Sequence, residues 1–129
     1  MTTTGKRLGL PVLVVAGPFG AAQTGTTFAA IEIPAKTFIP PYGVSVIVTT
    51  VLAGGTPSLD VGDTDDDAWV DTTEITEDAA GTYAGVAAAK AVTGHYYAAA
   101  DTLDVVMAAS TTSGAFYVTC LMYDVSAVI

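Results

Sequence analysis

The acidic residues of segment 58–71 are the part of the sequence whose types and spacing could do chemistry. This segment, SLDVGDTDDDAWVD, contains six aspartates, and nine of the thirteen acidic residues of the chain fall between positions 60 and 78. Calcium binds roughly six to eight oxygens, mainly carboxylates and carbonyls on a tight loop. Asp63, Asp65 and Asp67 alternate close to a glycine, so they are the candidate ligands of a cation.

The spacing of these aspartates departs from the known calcium loops. An EF-hand loop needs a glycine at its centre and a bidentate glutamate at its end, and neither Glu74 nor Glu77 falls at that position. Nonapeptide calcium sites require repeats, which the sequence lacks. Two interpretations therefore stand beside the cation site. The segment is a solvated turn whose charges protect a strand edge, or it contacts a basic surface of a partner.

Catalytic motifs are missing from the sequence. His95 is the sole histidine, and there is no G-x-S-x-G elbow, phosphate-binding loop, H-E-x-x-H or paired-cysteine motif. Acid–base catalysis needs a positioned base and a partner that orients it. The sequence therefore predicts a protein without enzymatic activity and without a cofactor, in which His95 begins a strand.

Single aromatic and cysteine residues allow two interpretations each. Trp69 follows the aspartates and is expected to anchor the return strand in the core, or else to form an exposed stacking platform. Tyr96 and Tyr97 could serve as a second platform. Cys120 is the only cysteine and lies among apolar residues, which predicts a buried, unreactive thiol, with a reactive or intermolecular thiol as the alternative.

Composition and charge exclude some partners. The 129 residues have a net charge of −9, and the four bases are dispersed, with only Lys6 and Arg7 adjacent. Nucleic acids and anionic membranes are bound by clustered Lys and Arg, so neither is an expected partner. A chain of this length is most simply one domain with a core that needs no disulfide or metal.

Hydrophobic alternation with a period of two dominates the chain, which predicts strands rather than helices. The strand candidates are 10–15, 27–33, 43–52, 58–61, 68–70, 82–86, 95–99, 102–108 and 115–125. Both faces of the last are apolar, so it is expected to be central. Segment 85–94 is expected to form one helical turn at most, and 34–43, with three prolines, an extended crossover. The pattern predicts an all-β fold, an antiparallel β-sandwich of jelly-roll or immunoglobulin-like type.

The N-terminal segment 1–22 is expected to be an extended arm with a short strand, followed by a single sandwich domain over 23–129. Its outline imitates a secretory signal, with two bases, an apolar run and small residues. Gly9 and Pro11 interrupt that run, which favours the arm.

Five motifs, LDVGD, WVD, GTY, DTL and GAFYVTCLMYD, follow one another at 59–63, 69–71, 81–83, 101–103 and 114–124. Their order resembles that of small virion proteins of tailed bacteriophages. In those proteins a strand leads into an acidic turn and a return strand, and a long apolar strand closes the domain. The resemblance covers about residues 42–129, and the first forty residues do not take part in it.

The resemblance implies a structural component of the virion and carries no catalytic residues. It implies a head decoration (cement) protein, a homotrimer on the capsid exterior that binds the major capsid protein and stabilises the head. A neck, tail or fibre protein is the other location it implies. Several such proteins extend an N-terminal arm to a neighbour, so the expected contact residues are Lys6, Arg7, Leu8, Leu10 and Val12.

Two alternatives belong to other classes of protein. One is a carbohydrate- or receptor-binding β-sandwich of a phage fibre, with Trp69 or the pair Tyr96 and Tyr97 as platform and the acidic loop as a calcium site. The other is a secreted adhesion or surface-layer module in which residues 1–22 are a true signal.

Overall fold

Two antiparallel sheets face each other across the core. The computed structural model describes residues 10–20, 27–54, 57–107 and 112–129, and every element named below lies in those ranges. The elements are β1 (Val12–Gly20), β2 (Thr27–Ile33), β3 (Thr37–Ile39), β4 (Val44–Ala53), β5 (Leu59–Gly62), β6 (Gly81–Ala84), α1 (Ala89–Thr93), β7 (His95–Tyr97), β8 (Asp101–Met107) and β9 (Ser113–Asp124). A 3-10 helix covers Thr72–Glu74. Among the helices of the described ranges, none has the length and apolarity to cross a membrane.

The larger sheet has six strands and the smaller sheet three. The larger sheet runs in the order β6-β4-β9-β3-β7, with β1 also paired to β9, and the smaller sheet runs β2-β8-β5. All described strand pairs are antiparallel. The predicted antiparallel β-sandwich is therefore confirmed.

Alternation along the strands places one face of each sheet in the core. In β4, Val44, Val46 and Val48 are buried, whereas Ser45 and Ile47 between them are half-buried. From the smaller sheet, the core receives Ile31, Ile33, Leu59, Val61, Leu103, Val105 and Met107. Each such side chain stabilises the fold by about 1.5–3 kcal/mol when fully buried, so this alternation fixes which face of each strand points inward.

Strand β9 holds the larger sheet together, as its apolar sequence predicted. Strand β4 pairs with it over residues 113–120 and β1 over residues 115–122. Its inward side chains are Phe116, Val118, Cys120 and Met122, all buried. The prediction of a central strand at 115–125 is confirmed, because β9 has partners on both sides.

Two segments differ from the expectation. Segment 34–43 was expected to be an extended crossover, but its middle forms β3, which pairs with both β7 and β9. Its prolines lie outside the three residues of β3, so none of them removes a hydrogen bond from that strand. The strand expected at 68–70 is reduced to a single bridge between Val61 and Val70. Helix α1 is the one short turn predicted within 85–94.

Strand β1 is longer than the predicted short strand at 10–15. It pairs with β9 from Val12 opposite Met122 to Gly20 opposite Ala115, with a shift in register between Ala16 and Phe19. Of the expected contact residues, Leu10 and Val12 are 94% and 60% exposed. The other three, Lys6, Arg7 and Leu8, lie outside the described residues. The division of the chain near residue 22 stays a prediction.

Candidate functional site

The acidic loop, defined here as residues 62–71, turns back tightly on the end of β5. Val61 and Val70 exchange backbone hydrogen bonds of 2.9 and 3.0 Å, which close the loop at its base. Gly62 allows this turn, since a Cβ atom at its position would lie 1.9 Å from the carbonyl oxygen of Asp65. The same tight turn carries Asp63 into the interior.

Asp63 is a buried carboxylate with several partners. Its side chain is 1% exposed, and its Oδ2 atom forms an ion pair with the Lys90 ammonium of α1. The Tyr97 hydroxyl donates a hydrogen bond of 2.7 Å to the same oxygen and accepts one of 2.9 Å from Trp69 Nε1. Oδ1 accepts a hydrogen bond from the Asp65 N–H. This network joins the loop, α1 and β7.

Electrostatics within the network keep Asp63 ionised. Burial alone would raise the pKa of Asp63, but hydrogen bonds from Lys90, Tyr97 and the Asp65 N–H together lower the pKa below its ordinary value. Burial, and then the nearby Asp63 carboxylate, raise the pKa of Tyr97. Tyr97 therefore stays protonated and acts as the hydrogen-bond donor between the carboxylate and the rest of the core.

The half-buried acids between positions 60 and 78 accept hydrogen bonds from the backbone. Asp60 accepts from the Thr72 N–H at 2.8 Å, and Glu77 from the Leu59 N–H at 3.2 Å. Glu74 accepts from the Val86 N–H at 2.6 Å and from the Ala87 N–H at 3.1 Å. Asp71 and Glu74 also form a capping box on the 3-10 helix. These carboxylates hold the connections between strands in place.

The remaining aspartates of the loop, Asp65, Asp66 and Asp67, are exposed. A hydrogen bond between the Asp65 and Asp67 side chains raises the pKa of Asp67, and both residues border a shallow cavity of about 290 Å³ with Asp71 and Glu74. Across the described residues, no group of three or more His, Cys, Asp or Glu side chains is arranged to hold a metal. The cation at Asp63, Asp65 and Asp67 stays a prediction, in which Asp63 already has Lys90 as its partner.

The burial of the aromatic residues tests the roles predicted for them. Trp69 is fully buried, which confirms that it anchors the loop and corrects its alternative role as an exposed platform. Tyr97 is buried as well, whereas Tyr96 is half-buried. His95 begins β7 as predicted, and its ring packs edge-on to Tyr97 at 4.6 Å between centroids. Burial, and then Lys90, lower the pKa of His95.

Cys120 is fully buried, as its apolar surroundings predicted. Burial raises the pKa of its thiol to about 12. A thiol with such a pKa is almost entirely protonated at neutral pH, and the thiolate is the reactive form. The cysteine is therefore a core residue without reactive character.

The outer face of the larger sheet contains no charged side chain among the described residues. We call it the uncharged face; its side chains point away from the core at Leu13, Val15, Phe38, Ser45, Ile47, Thr82, Ala84, Tyr96, Tyr117, Thr119, Leu121 and Tyr123. Leu13 and Val15 are 62% and 55% exposed. At its centre, the Ser45 and Thr119 hydroxyls share a hydrogen bond of 2.5 Å, so the polar groups there bond to each other.

The outer face of the smaller sheet is acidic. Glu32 lies opposite Thr102, and Asp104 and Asp60 project from the neighbouring strands on the same face. The two outer faces of the sandwich thus differ in charge, although both sheets bury the same kind of aliphatic side chain. Neither this difference nor the contact of Lys90 with Asp63 was foreseen from the sequence, because both depend on which strands are neighbours.

Known proteins resemble this chain in structure but not in sequence. No family model and no curated protein matches the sequence. A chain of the acidic stable capsid structure of Helicobacter pylori bacteriophage KHP30 matches with a TM-score of 0.66 and 12% identity, over 91% of this chain and 89% of that chain. A chain of the cyanophage Pam1 capsid asymmetric unit matches with a TM-score of 0.59 and 13% identity, over 95% of this chain and 91% of that chain.

These matches show that the chain has a fold found in phage capsids. The resemblance to phage virion proteins that the sequence indicated is thereby confirmed at the level of the fold. Since each match covers about nine-tenths of both chains, the two capsid chains are about as long as this one and share its fold over most of their length.

Proposed function

We propose that this chain is a capsid decoration (cement) protein of a tailed bacteriophage, without enzymatic activity. It binds the major capsid protein on the exterior of the head, as a homotrimer, and stabilises the shell. The observation that carries the proposal is the match of the whole fold to two capsid chains of similar length.

The acidic segment supports the same proposal. Its buried and half-buried carboxylates bond to backbone amides or to Lys90, which is a structural use of acidic residues. Reactive groups in enzymes are held in a cleft beside a substrate. Asp63, the most buried carboxylate of the segment, instead lies between core residues. The acidic segment thus stabilises the connections between strands.

The N-terminal arm is the proposed contact with the capsid. Leu10, just before β1, and Val12, its first residue, expose apolar side chains. Lys6 and Arg7 precede them in sequence, so the segment joins positive charge to apolar surface. A segment of this kind can add a strand to the edge of a neighbouring sheet, with its bases on acidic groups of the neighbour.

Binding to empty heads tests the proposal. Heads of the encoding phage that lack this protein are mixed with the purified chain and sedimented, and the full chain is expected to sediment with them. A variant without residues 1–10 keeps β1 intact, because β1 begins at Val12, and is expected to bind at least about tenfold more weakly. The double variant Lys6→Ala, Arg7→Ala separates the contribution of charge.

Three results would count against the proposal. If the full chain fails to sediment with the heads, the decoration role is wrong. If the truncated chain binds as well as the full chain, the N-terminal arm is not the contact with the capsid, but the decoration role stands. If the truncated chain unfolds at a lower temperature, the segment supports folding rather than attachment, and circular dichroism checks this directly.

A carbohydrate- or receptor-binding role has less support. The burial of Trp69 and Tyr97 leaves only Tyr96 of the three proposed platform residues at the surface. A glycan array with and without calcium tests this alternative. Binding there, without attachment to heads, would replace the proposed function.

A further inference from the structure

The uncharged face is large enough to be an interface. Strand β9 has twelve residues, which corresponds to a length of about 40 Å, and four neighbouring strands span about 19 Å. Because β6 has only four residues and β1 nine, the face covers at most roughly 700 Å², against about 800 Å² per partner in a standard protein interface. Single exposed apolar residues are ordinary, but Leu13, Val15 and Leu121 lie together on the adjacent strands β1 and β9 of this face, and apolar patches of a few hundred Å² often mark contact surfaces.

The distribution of charge indicates the kind of partner. The chain carries a net charge of −9, and acids lie on the outer face of the smaller sheet and in the segment 60–78. Two copies that met through those surfaces would bring like charges together, which costs several kcal/mol at close contact. On the uncharged face two acidic molecules can meet without this cost.

A basic partner would be recognised elsewhere on the molecule. Complementary charge steers association, and Glu32, Asp60 and Asp104 offer it on the smaller sheet. The uncharged face has no acidic side chain among its described residues that could pair with the charge of a basic partner. It fits a partner of the same charge as the chain itself, that is, a second copy.

We propose that the uncharged face is the surface through which copies of this chain contact one another. Leu13, Val15 and Leu121 form its aliphatic part, and Tyr117 and Tyr123 its aromatic part. Aromatic residues are enriched in the buried centres of interfaces. The contact goes beyond the trimer of the proposed function, because a face that meets its own copy closes a pair, and it is tested on the isolated protein, without capsids.

Substitution of one exposed residue tests the contact. In the variant Val15→Glu, a carboxylate is placed on β1 beside Thr119 of β9, within the uncharged face, and we expect the dissociation constant of the oligomer to rise by roughly a hundredfold. Val15 is 55% exposed, so the monomer is expected to keep its fold. The variant Thr27→Glu is the matched control, because it adds the same charge at an exposed position of β2 on the smaller sheet. Light scattering over a concentration series gives the mass of each protein.

Cysteine labelling gives a second measurement that does not depend on a charge. The native Cys120 is buried and Leu13 is exposed, so in the variant Leu13→Cys the label reacts with the introduced cysteine. We expect its labelling to slow as the protein is concentrated. The control variant Thr27→Cys is expected to be labelled at the same rate at all concentrations.

The possible results separate the contact from the proposed function. A wild-type protein that forms oligomers, together with a Val15→Glu variant that is a monomer and a Thr27→Glu variant that is not, supports the contact. A wild-type dimer would support the contact while contradicting the trimer of the proposed function. A wild-type monomer at high concentration overturns the contact. A Val15→Glu variant that keeps its oligomeric state also overturns the contact. This holds even if that variant no longer attaches to heads.

Discussion

The acidic segment and the uncharged face differ in their charge and in the partners of their polar groups. The segment holds nine of the thirteen acids, yet its buried and half-buried carboxylates bond to Lys90 and to backbone amides. The uncharged face has no acid or base among its described residues, and its central hydroxyls bond to each other. The acids, which look reactive in the sequence, thus stabilise the fold. The uncharged residues of β1, β4 and β9, which carry no functional motif, form the outer face of the larger sheet.

Replacement of Asp63 should have the largest effect on stability. The variant Asp63→Ala is expected to lower the free energy of unfolding by about 3 kcal/mol, because the Lys90 ammonium and the Tyr97 hydroxyl lose their common partner. Asp66→Ala, three positions further in the same loop and exposed, is expected to change it by less than about 0.5 kcal/mol. Urea denaturation measures both. Equal losses in the two variants would mean that the buried network has no special part in stability.

Removal of Glu74 should have a smaller effect. Its carboxylate accepts hydrogen bonds from the Val86 and Ala87 amides and from Asp71 N–H, so Glu74→Ala is expected to cost about 1–2 kcal/mol of unfolding free energy. Asp78→Ala, at an exposed acid just beyond, is the control and should be nearly neutral. If both variants melt like the wild type, the acids of this segment do not hold the connections between strands.

Acid should weaken the network around Asp63. The pKa of this carboxyl is lowered in the folded chain, so its contribution to stability is present above the ordinary value of 3.8 and is lost as the pH falls through the folded value. The wild type is thus expected to be more stable than Asp63→Asn at neutral pH, with the difference shrinking as the pH drops below about 4. Denaturation curves of both proteins across this range measure it. A difference that does not depend on pH would contradict the ionised state of Asp63.

Calcium should have the smallest effect. Asp63 has Lys90 as its partner, and Asp65 and Asp67 are exposed, so millimolar calcium is expected to shift the melting temperature by less than about 1 °C relative to chelator. Differential scanning fluorimetry checks this. A rise of several degrees that disappears in the double variant Asp65→Asn, Asp67→Asn would instead establish the predicted cation site.

Much of the fold could be predicted from the chain because each strand carries its own alternation. Strand β2 follows the predicted segment 27–33 residue for residue, and β4, β8 and β9 differ from their predictions by one or two residues. Because one face of each of these strands lies in the core, the hydrophobic pattern correctly predicts where the strand begins and ends. The short strand β3 was missed because nearby prolines conceal a segment whose pairing comes from β7 and β9.

The site was predicted less well because its contacts join residues far apart in the chain. Lys90 is 27 positions from Asp63, and Tyr97 is 34 positions away. Neither spacing carries a local signal. Trp69 could be assigned to the core from its place after the acidic turn. The uncharged face could be found only once the register of β1, β4 and β9 was known, since each strand contributes only a few of its residues.

The number of copies in an intact particle tests the central claim most directly. Quantitative mass spectrometry of purified virions of the encoding phage gives this number relative to the major capsid protein. A decoration protein that covers a symmetric shell is expected in on the order of hundreds of copies per particle. About a dozen copies or fewer would place the chain in the neck or tail, and none would contradict a virion role altogether.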